Sequence, residues 1–333
     1  MVGAIGIAVC LISVSVTRDD PSLLSHAAKV ADIGPVYPDQ NIYFWISGTK
    51  AIWLRDHFDS NGHKIVEAVE IDSKTHNKTP LARLKQSISS ESNRNNIRLC
   101  RMSPDGKWLL FSVRTRTRSE WKLFGVDGSL HGLWPCTGDL TELTHALWLP
   151  DSKGWVEVAE QKSKADIVTH GLNGPGAIPV IQNFMPSYYY HLGFMGPNRC
   201  FAVTPRVGDG DVTVMEYDAP HVVGPPRIFF LKTPDGVTGS LEAALSPNGN
   251  RVAWLFGYRT GPLGLSILGR LPKYRYARST IVGLWISDTN GGGMRLLGNL
   301  DTDKGSPDVL RWTPDGKRIS FICQDAIWTV PAD

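Results

Sequence analysis

The stretch Arg101–Ser112, "RMSPDGKWLLFS", sets a tight turn between two apolar runs. Ser103-Pro104-Asp105-Gly106 suits a type I turn: Ser accepts hydrogen bonds at the first position, Pro presets φ at the second, and Gly tolerates positive φ at the fourth. Trp108-Leu109-Leu110-Phe111 is bulky and bounded by turn residues, so it reads as a buried strand, with Ile97 to Met102 pairing from the other side. The turn recurs. Thr313-Pro314-Asp315-Gly316 precedes "KRISFI", Ser246-Pro247-Asn248-Gly249 precedes "NRVAWLF", and Leu149-Pro150-Asp151-Ser152 keeps the pattern with Ser in place of Gly. Two weaker copies are Gly196-Pro197-Asn198 and Tyr37-Pro38-Asp39. The residue two before the proline is apolar in all six: Val36, Met102, Trp148, Met195, Leu245 and Trp312.

Successive Asp or Asn positions are 66, 46, 47, 50 and 67 residues apart. That spacing lies close to the roughly 40–50 residues of a four-stranded propeller blade. Six units predict an all-β, six-bladed β-propeller of four-stranded antiparallel blades, with blades starting near 36, 97, 143, 188, 241 and 308. With these flanking strands, the Ser-Pro-Asp-Gly-Lys turn resembles the WD40-like PD40 repeat of TolB-type β-propellers over roughly residues 35–333. The resemblance implies the fold and says little about activity, because one repeat serves scaffolds, binding proteins and enzyme-associated propellers. The propeller of the prolyl-oligopeptidase family is also similar, but its hydrolase partner domain needs a G-x-S-x-G elbow that is missing here.

At 333 residues the chain reads as one domain over 21–333, since a closed ring of repeats can reach this length as one unit. Eleven Trp suit stacked blades, and 33 Gly with 22 Pro supply the turns. Residues 1–20 carry an uncharged apolar run from Val2 to Val16, read as a signal peptide or short membrane anchor, and they imply a periplasmic, secreted or envelope-associated protein. The last repeat runs out of chain after three strands. An unpaired edge is an aggregation liability, so a segment within Leu23–Ile33 is expected to supply the fourth strand and clasp the ring.

In a blade whose strands A to D run antiparallel outward from the axis, the Pro-Asp-Gly turns share one face and the B–C loops share the other. The loops read as Ser47–Ala51, Arg114–Glu120, Glu160–Asp166, Pro205–Asp211, Gly257–Thr280 and Cys323–Ala326, and they hold twelve cations against six carboxylates. The B–C face is therefore expected to be basic, and such a field raises encounter rates with anionic partners. "RTRTR" at 114–118 and the insertion at 257–280 supply most of the surplus, and the insertion adds an apolar run from Leu263 to Leu268. The candidate binding residues are Arg114, Arg116, Arg118, Arg259, Lys273 and Arg275, joined by Tyr189 and His191 of "SYYYH" at the channel rim. The polar stretch 74–96 reads as a partly flexible crossing from one blade to the next.

No catalytic constellation emerges. No pair of His has H-x-x-x-H spacing, no calcium loop is present, and the five Cys form no C-x-x-C. Cys100, Cys200 and Cys323 fall in predicted strands; a disulfide is compatible with export, its pairing open. No cofactor and no metal site is expected. A net charge of +3 is too small to imply specific nucleic-acid binding. The leading expectation is a non-enzymatic binding or scaffold propeller that recognises a protein or anionic ligand through its loop face, with a membrane surface as a further contact. The alternative is a propeller enzyme of lactonase or polysaccharide-lyase type, with a metal held on the axis by residues of several blades.

Overall fold

The computed structural model describes residues 22–34, 42–58, 60, 64–85, 96–114, 119–127, 129–136, 146–149, 151–161, 164–172, 174–184, 191–194, 199–205, 212–218, 227–234, 237–258, 281–301 and 307–333. The predicted leader over 1–20 lies outside them.

A 3-10 turn, Leu23–Ser25, leads into β1 (Ala28–Asp32). The first sheet holds β2 (Ile42–Trp45), β3 (Lys50–Phe58), β4 (Lys64–Asp72) and β5 (Lys78–Lys85). The second holds β6 (Asn96–Met102), β7 (Trp108–Arg114), β8 (Ser119–Gly125) and β9 (Leu130–Pro135). The third comprises β10 (Ala146–Trp148), β11 (Gly154–Gln161), β12 (Lys164–Gly171) and β13 (Gly174–Phe184), and the fourth β14 (His191–Phe194), β15 (Arg199–Pro205), β16 (Val212–Asp218) and β17 (Arg227–Leu231). The fifth is built from β18 (Val237–Leu245), β19 (Arg251–Tyr258), β20 (Ile281–Asp288) and β21 (Arg295–Asp301). In the last sheet, β22 (Asp308–Trp312), β23 (Arg318–Cys323) and β24 (Ala326–Pro331) are completed by β1. The first strands of the sheets are neighbours in the order β14, β18, β22, β2, β6, β10, so they line the inside of the ring. This is an all-β propeller of four-stranded antiparallel blades.

The turns form as their residues dictate. In the second sheet the Ser103 N–H donates to the Trp108 carbonyl (2.9 Å) and the Gly106 N–H to the Ser103 carbonyl (2.9 Å), while Asp105 Oδ1 accepts from the Lys107 N–H (3.2 Å). Gly106, Gly249 and Gly316 sit at φ +71, +72 and +66, and the third repeat forces Ser152 into the same region at +60. The Ser152 hydroxyl offsets that cost by accepting the Asp105 N–H of the neighbouring turn at 3.0 Å.

Middle strands are buried on both faces, which explains their unbroken apolar runs. In β7, Leu109 and Phe111 pack with Phe44, Ile52 and Leu54 of the first sheet, while Leu110 packs with Trp148 and Trp155 of the third. In β19, Ala253 and Leu255 face the last sheet, whereas Val252, Trp254 and Phe256 share a cluster with Leu231 of the fourth. Each core cluster is thus a seam between two sheets. The apolar residue two before the turn proline also ties them: Trp148 Nε1 donates to the Arg101 carbonyl (3.2 Å) and Trp312 Nε1 to the Ala244 carbonyl (2.8 Å), each on the innermost strand of the preceding sheet.

Three expectations need correction. Pro38-Asp39, read as the first inner turn, lies outside the described residues and ahead of β2, which starts at Ile42; the turn between β2 and β3 is Ile46–Thr49, where Ser47 Oγ accepts the Lys50 N–H at 3.0 Å. A serine-led bend does the work of proline, so Lys50 opens β3 at the Pro-Asp-Gly end rather than at the loop end. The supposed loop Glu160–Asp166 is mostly strand, with Gln161 pairing Lys164 across a tight hairpin. Within 74–96, Lys78–Lys85 is β5, an outer strand that needs no apolar face.

The clasp is present. β1 runs antiparallel to β24, Ala28 opposite Thr329 and Asp32 opposite Ala326. Before it, Ser22 bridges Asn299 of the fifth sheet, and Leu23 is buried where Gly298 leaves room, since a Cβ there would stand 2.9 Å from Leu23 Cα. Removing residues 1–34 strips Leu23, Val30 and Ile33 from the core, worth roughly 5 kcal/mol in all, and should lower Tm by roughly 5–10 °C. Removing 1–21 alone should leave the melt near wild type. Circular dichroism melts of both truncations check this, and equal Tm values would refute the clasp.

Candidate functional site

Every innermost strand starts at the B–C end of the ring and finishes at a Pro-Asp-Gly turn or its counterpart. Three residues before the turn proline stand Arg101 on β6 and Arg311 on β22. On β18 the corresponding residue is Ala244, and two positions earlier comes Glu242. Glu242 Oε2 accepts the Leu310 N–H at 2.9 Å, and its Oε1 lies 3.7 Å from Arg311 Nη1. The two side chains are 15% and 28% exposed, so the pair is mostly withdrawn from water.

Burial pushes Glu242 up to about 7, against the pull of Arg311, the Leu310 N–H and Arg101, with Asp308 adding to the rise. At 3.7 Å the guanidinium attracts without a hydrogen bond, which is why desolvation wins. Tyr43, on β2, closes the other side of β22: its hydroxyl donates to the Val309 carbonyl at 3.0 Å and is itself held well above its ordinary value by burial. A carboxyl that titrates near neutrality beside Arg311 on the inner ring can bind an anion that carries a donor, or move a proton.

A second acid pair is closed to such use. Glu157 Oε2 lies 2.5 Å from His170 Nε2, the imidazole stacks on Trp155 at 5.1 Å between centroids, and both side chains are buried between middle strands. No solute reaches them, so they serve packing. Nearby, burial raises the Cys136 thiol, with Glu157 and Glu120 adding to the effect, and burial also raises Cys323. Neither is an activated nucleophile. Among the described residues no three of His, Cys, Asp and Glu gather as a metal site.

Of the residues singled out in the sequence, Arg114 ends β7 at the B–C end, and His191 opens β14, paired with Val203. Arg116, Arg118, Arg259, Lys273, Arg275 and Tyr189 lie outside the described residues. The sequence reading missed Glu242, Arg311, Arg101 and Asp308, because it searched loops for charge and treated inner strands as packing. Aligning the repeats on their prolines would have exposed the signal: Arg101 and Arg311 share one position, where the other copies have Leu147, Phe194 and Ala244.

No family model matches the chain, and no curated protein matches it. Among solved structures it is similar to a chain of the mitotic checkpoint complex, with TM-score 0.52 and 12% identity over 99% of each chain. It is also similar to TolB from Acinetobacter baumannii (TM-score 0.50, 14% identity, 86% of this chain and 64% of that one). Kuenenia stuttgartiensis hydrazine synthase gives 0.50 and 14%, over 93% of this chain and 76% of that one. The likeness is one of fold. It agrees with the TolB-like, WD40-like character of the repeats.

The Glu242 value carries a pH dependence. A folded-state value above the ordinary 4.5 means that the group's contribution to stability is whole below about 4.5 and lost as pH rises through about 7, on the order of 3 kcal/mol at the far end. Glu242→Gln should therefore melt close to wild type at pH 5 and above it at pH 8.5. Parallel pH profiles of Tm for the two proteins would refute the assignment.

Proposed function

We propose that this chain is a non-enzymatic, six-bladed binding propeller that recognises a protein or other ligand of negative charge through the ring end opposite its Pro-Asp-Gly turns. The observation that carries the reading is strand direction. β7 and β19 both finish, and β8 and β20 both start, at that end, and the proposal assigns the charge of "RTRTR" (114–118) and of the insertion 257–280 to it. With the turn corrected, Lys50 leaves this end, yet the surplus persists because the second and fifth sheets supply most of it.

Export to the periplasm, the envelope or the medium is part of the proposal and rests on the apolar run Val2–Val16. Leu263 to Leu268 within the insertion supports contact with a membrane surface. The modest net charge of +3 argues against specific nucleic-acid binding.

Changing Arg114, Arg116 and Arg118 together to Glu should lower the salt concentration at which the chain elutes from an immobilised polyanion, because bound cations displace counterions in proportion to their number. Unchanged elution would overturn the basic-face reading. A second reading, a propeller enzyme with a metal on the axis, is favoured by the two carboxylates Glu242 and Asp308 on neighbouring inner strands. Elemental analysis of the purified protein separates the two. Stoichiometric Ca, Mn or Zn would favour the enzyme, and its absence the binding propeller.

A further inference from the structure

Val309 stands at φ +56, a conformation that a β-branched side chain adopts only under constraint. It sits where the ladder slips: Asp308 pairs with Ile322 and Arg311 with Ser320, and the register shifts between them. Three side chains grip this bulge. Asp308 Oδ1 accepts the Val309 N–H at 2.8 Å, Tyr43 of the first sheet donates to the Val309 carbonyl at 3.0 Å, and Glu242 of the fifth sheet accepts the Leu310 N–H at 2.9 Å. Strained backbone persists where its surroundings over-determine it. Here both neighbouring sheets do so, and the sheet they hold is the one where the two ends of the chain meet.

We propose that Glu242 and the Val309–Leu310 bulge form a proton-controlled latch between β18 and β22, closed while the carboxyl carries its proton and loosening as it ionises. A neutral carboxyl still offers an acceptor oxygen to the Leu310 N–H. Once ionised, the same group is a largely buried charge. Arg311 stands too far off to hydrogen-bond it, Asp308 on the same strand repels it, and Arg101 on β6 attracts it less than Arg311 does. β18 itself carries no other charged residue. Turning the carboxyl out to water recovers its hydration but abandons the Leu310 N–H, and that exchange grows more favourable with every step of ionisation. Val309 then loses one of the three contacts that keep it at positive φ. The closed-to-open ratio should fall by roughly two orders of magnitude between pH 4 and pH 9, the span between the ordinary carboxyl and this one.

Hydrogen exchange on the full chain, corrected for intrinsic rates, reads the latch directly. Between pH 5.5 and pH 8.5 a peptide spanning 309–312 should lose at least about tenfold more protection than one spanning Trp108–Arg114, which reports general opening. Glu242→Gln, an amide that keeps the acceptor oxygen and cannot ionise, should abolish the difference. Equal pH responses of the two peptides in the unmodified protein would overturn the latch without recourse to the variant. So would a pH response of 309–312 that survives in Glu242→Gln.

Discussion

A ring of sheets must be closed against its own conformational entropy, and here one short segment does it. β1 lies between three sheets. Its approach is pinned to the fifth by Leu23 against Gly298 and by His26 Nε2 at 2.9 Å from the Leu297 carbonyl, and its ladder completes the last sheet along β24. From the first sheet, His76 Nδ1 reaches the Val30 carbonyl at 2.8 Å and Lys78 Nζ donates to the Asp32 carbonyl at 2.5 Å. Contacts from Leu23 to Asp32 therefore reach 46 positions along the chain to the first sheet and more than two hundred to the fifth and last sheets. Such contacts are costly to form because the loop they close is long, but once made they join the two ends of the chain within a single sheet. The seams between neighbouring sheets can then act together, since slack at one seam would have to open another.

Those seams explain why the sequence is so apolar in its second strands and so mixed in its outer ones. A residue on β3, β7, β19 or β23 faces one neighbour or the other according to parity, so neither parity can be polar without a partner. Ser320 shows the permitted exception: it is fully buried, but Trp45 Nε1 donates to it at 2.7 Å and Tyr43 Oη lies 2.8 Å away. Outer strands escape the constraint. β9 leaves Leu130 and Leu133 more than half exposed, and β5 carries lysines and threonine along its length.

The sheet repeat was legible because a proline-led turn has few sequence solutions, and Ser152 was read correctly as a stand-in for glycine. The first repeat misled for a physical reason. Tyr37-Pro38-Asp39 has the residues of the turn, but "ISGT" forms the turn instead through a serine hydroxyl and a glycine, signals shared with ordinary loops. β5 was missed because a strand at the rim has no periodic apolar face to announce it. The clasp followed from counting strands, a topological argument that does not depend on propensity. The inner-strand charges could not be found by linear motif search, since Arg101, Glu242 and Arg311 come from three repeats and only the ring brings them near one another.

Among the described residues, Glu67, Glu157 and Glu242 show how placement decides what a carboxyl withdrawn from water can do. Glu67, on β4, meets Arg55 across the ladder, with the guanidinium Nε donating at 2.6 Å, and Glu157, on β11, meets His170 at 2.5 Å. Both lie on middle strands, where a direct partner offsets the desolvation that burial imposes. Glu242 is handled differently: its hydrogen bond comes from a backbone N–H, and its cation stands off at 3.7 Å. Arg311 does not close that gap. Instead Arg311 Nη1 donates to its own neighbour's carbonyl, Leu310, at 2.9 Å, and β22 carries a strained valine at the same point. An imperfect pair and a backbone outlier at one point on the inner ring, beside fully matched pairs elsewhere, mark the seam between β18 and β22 as the place where this fold gives up stability for a response.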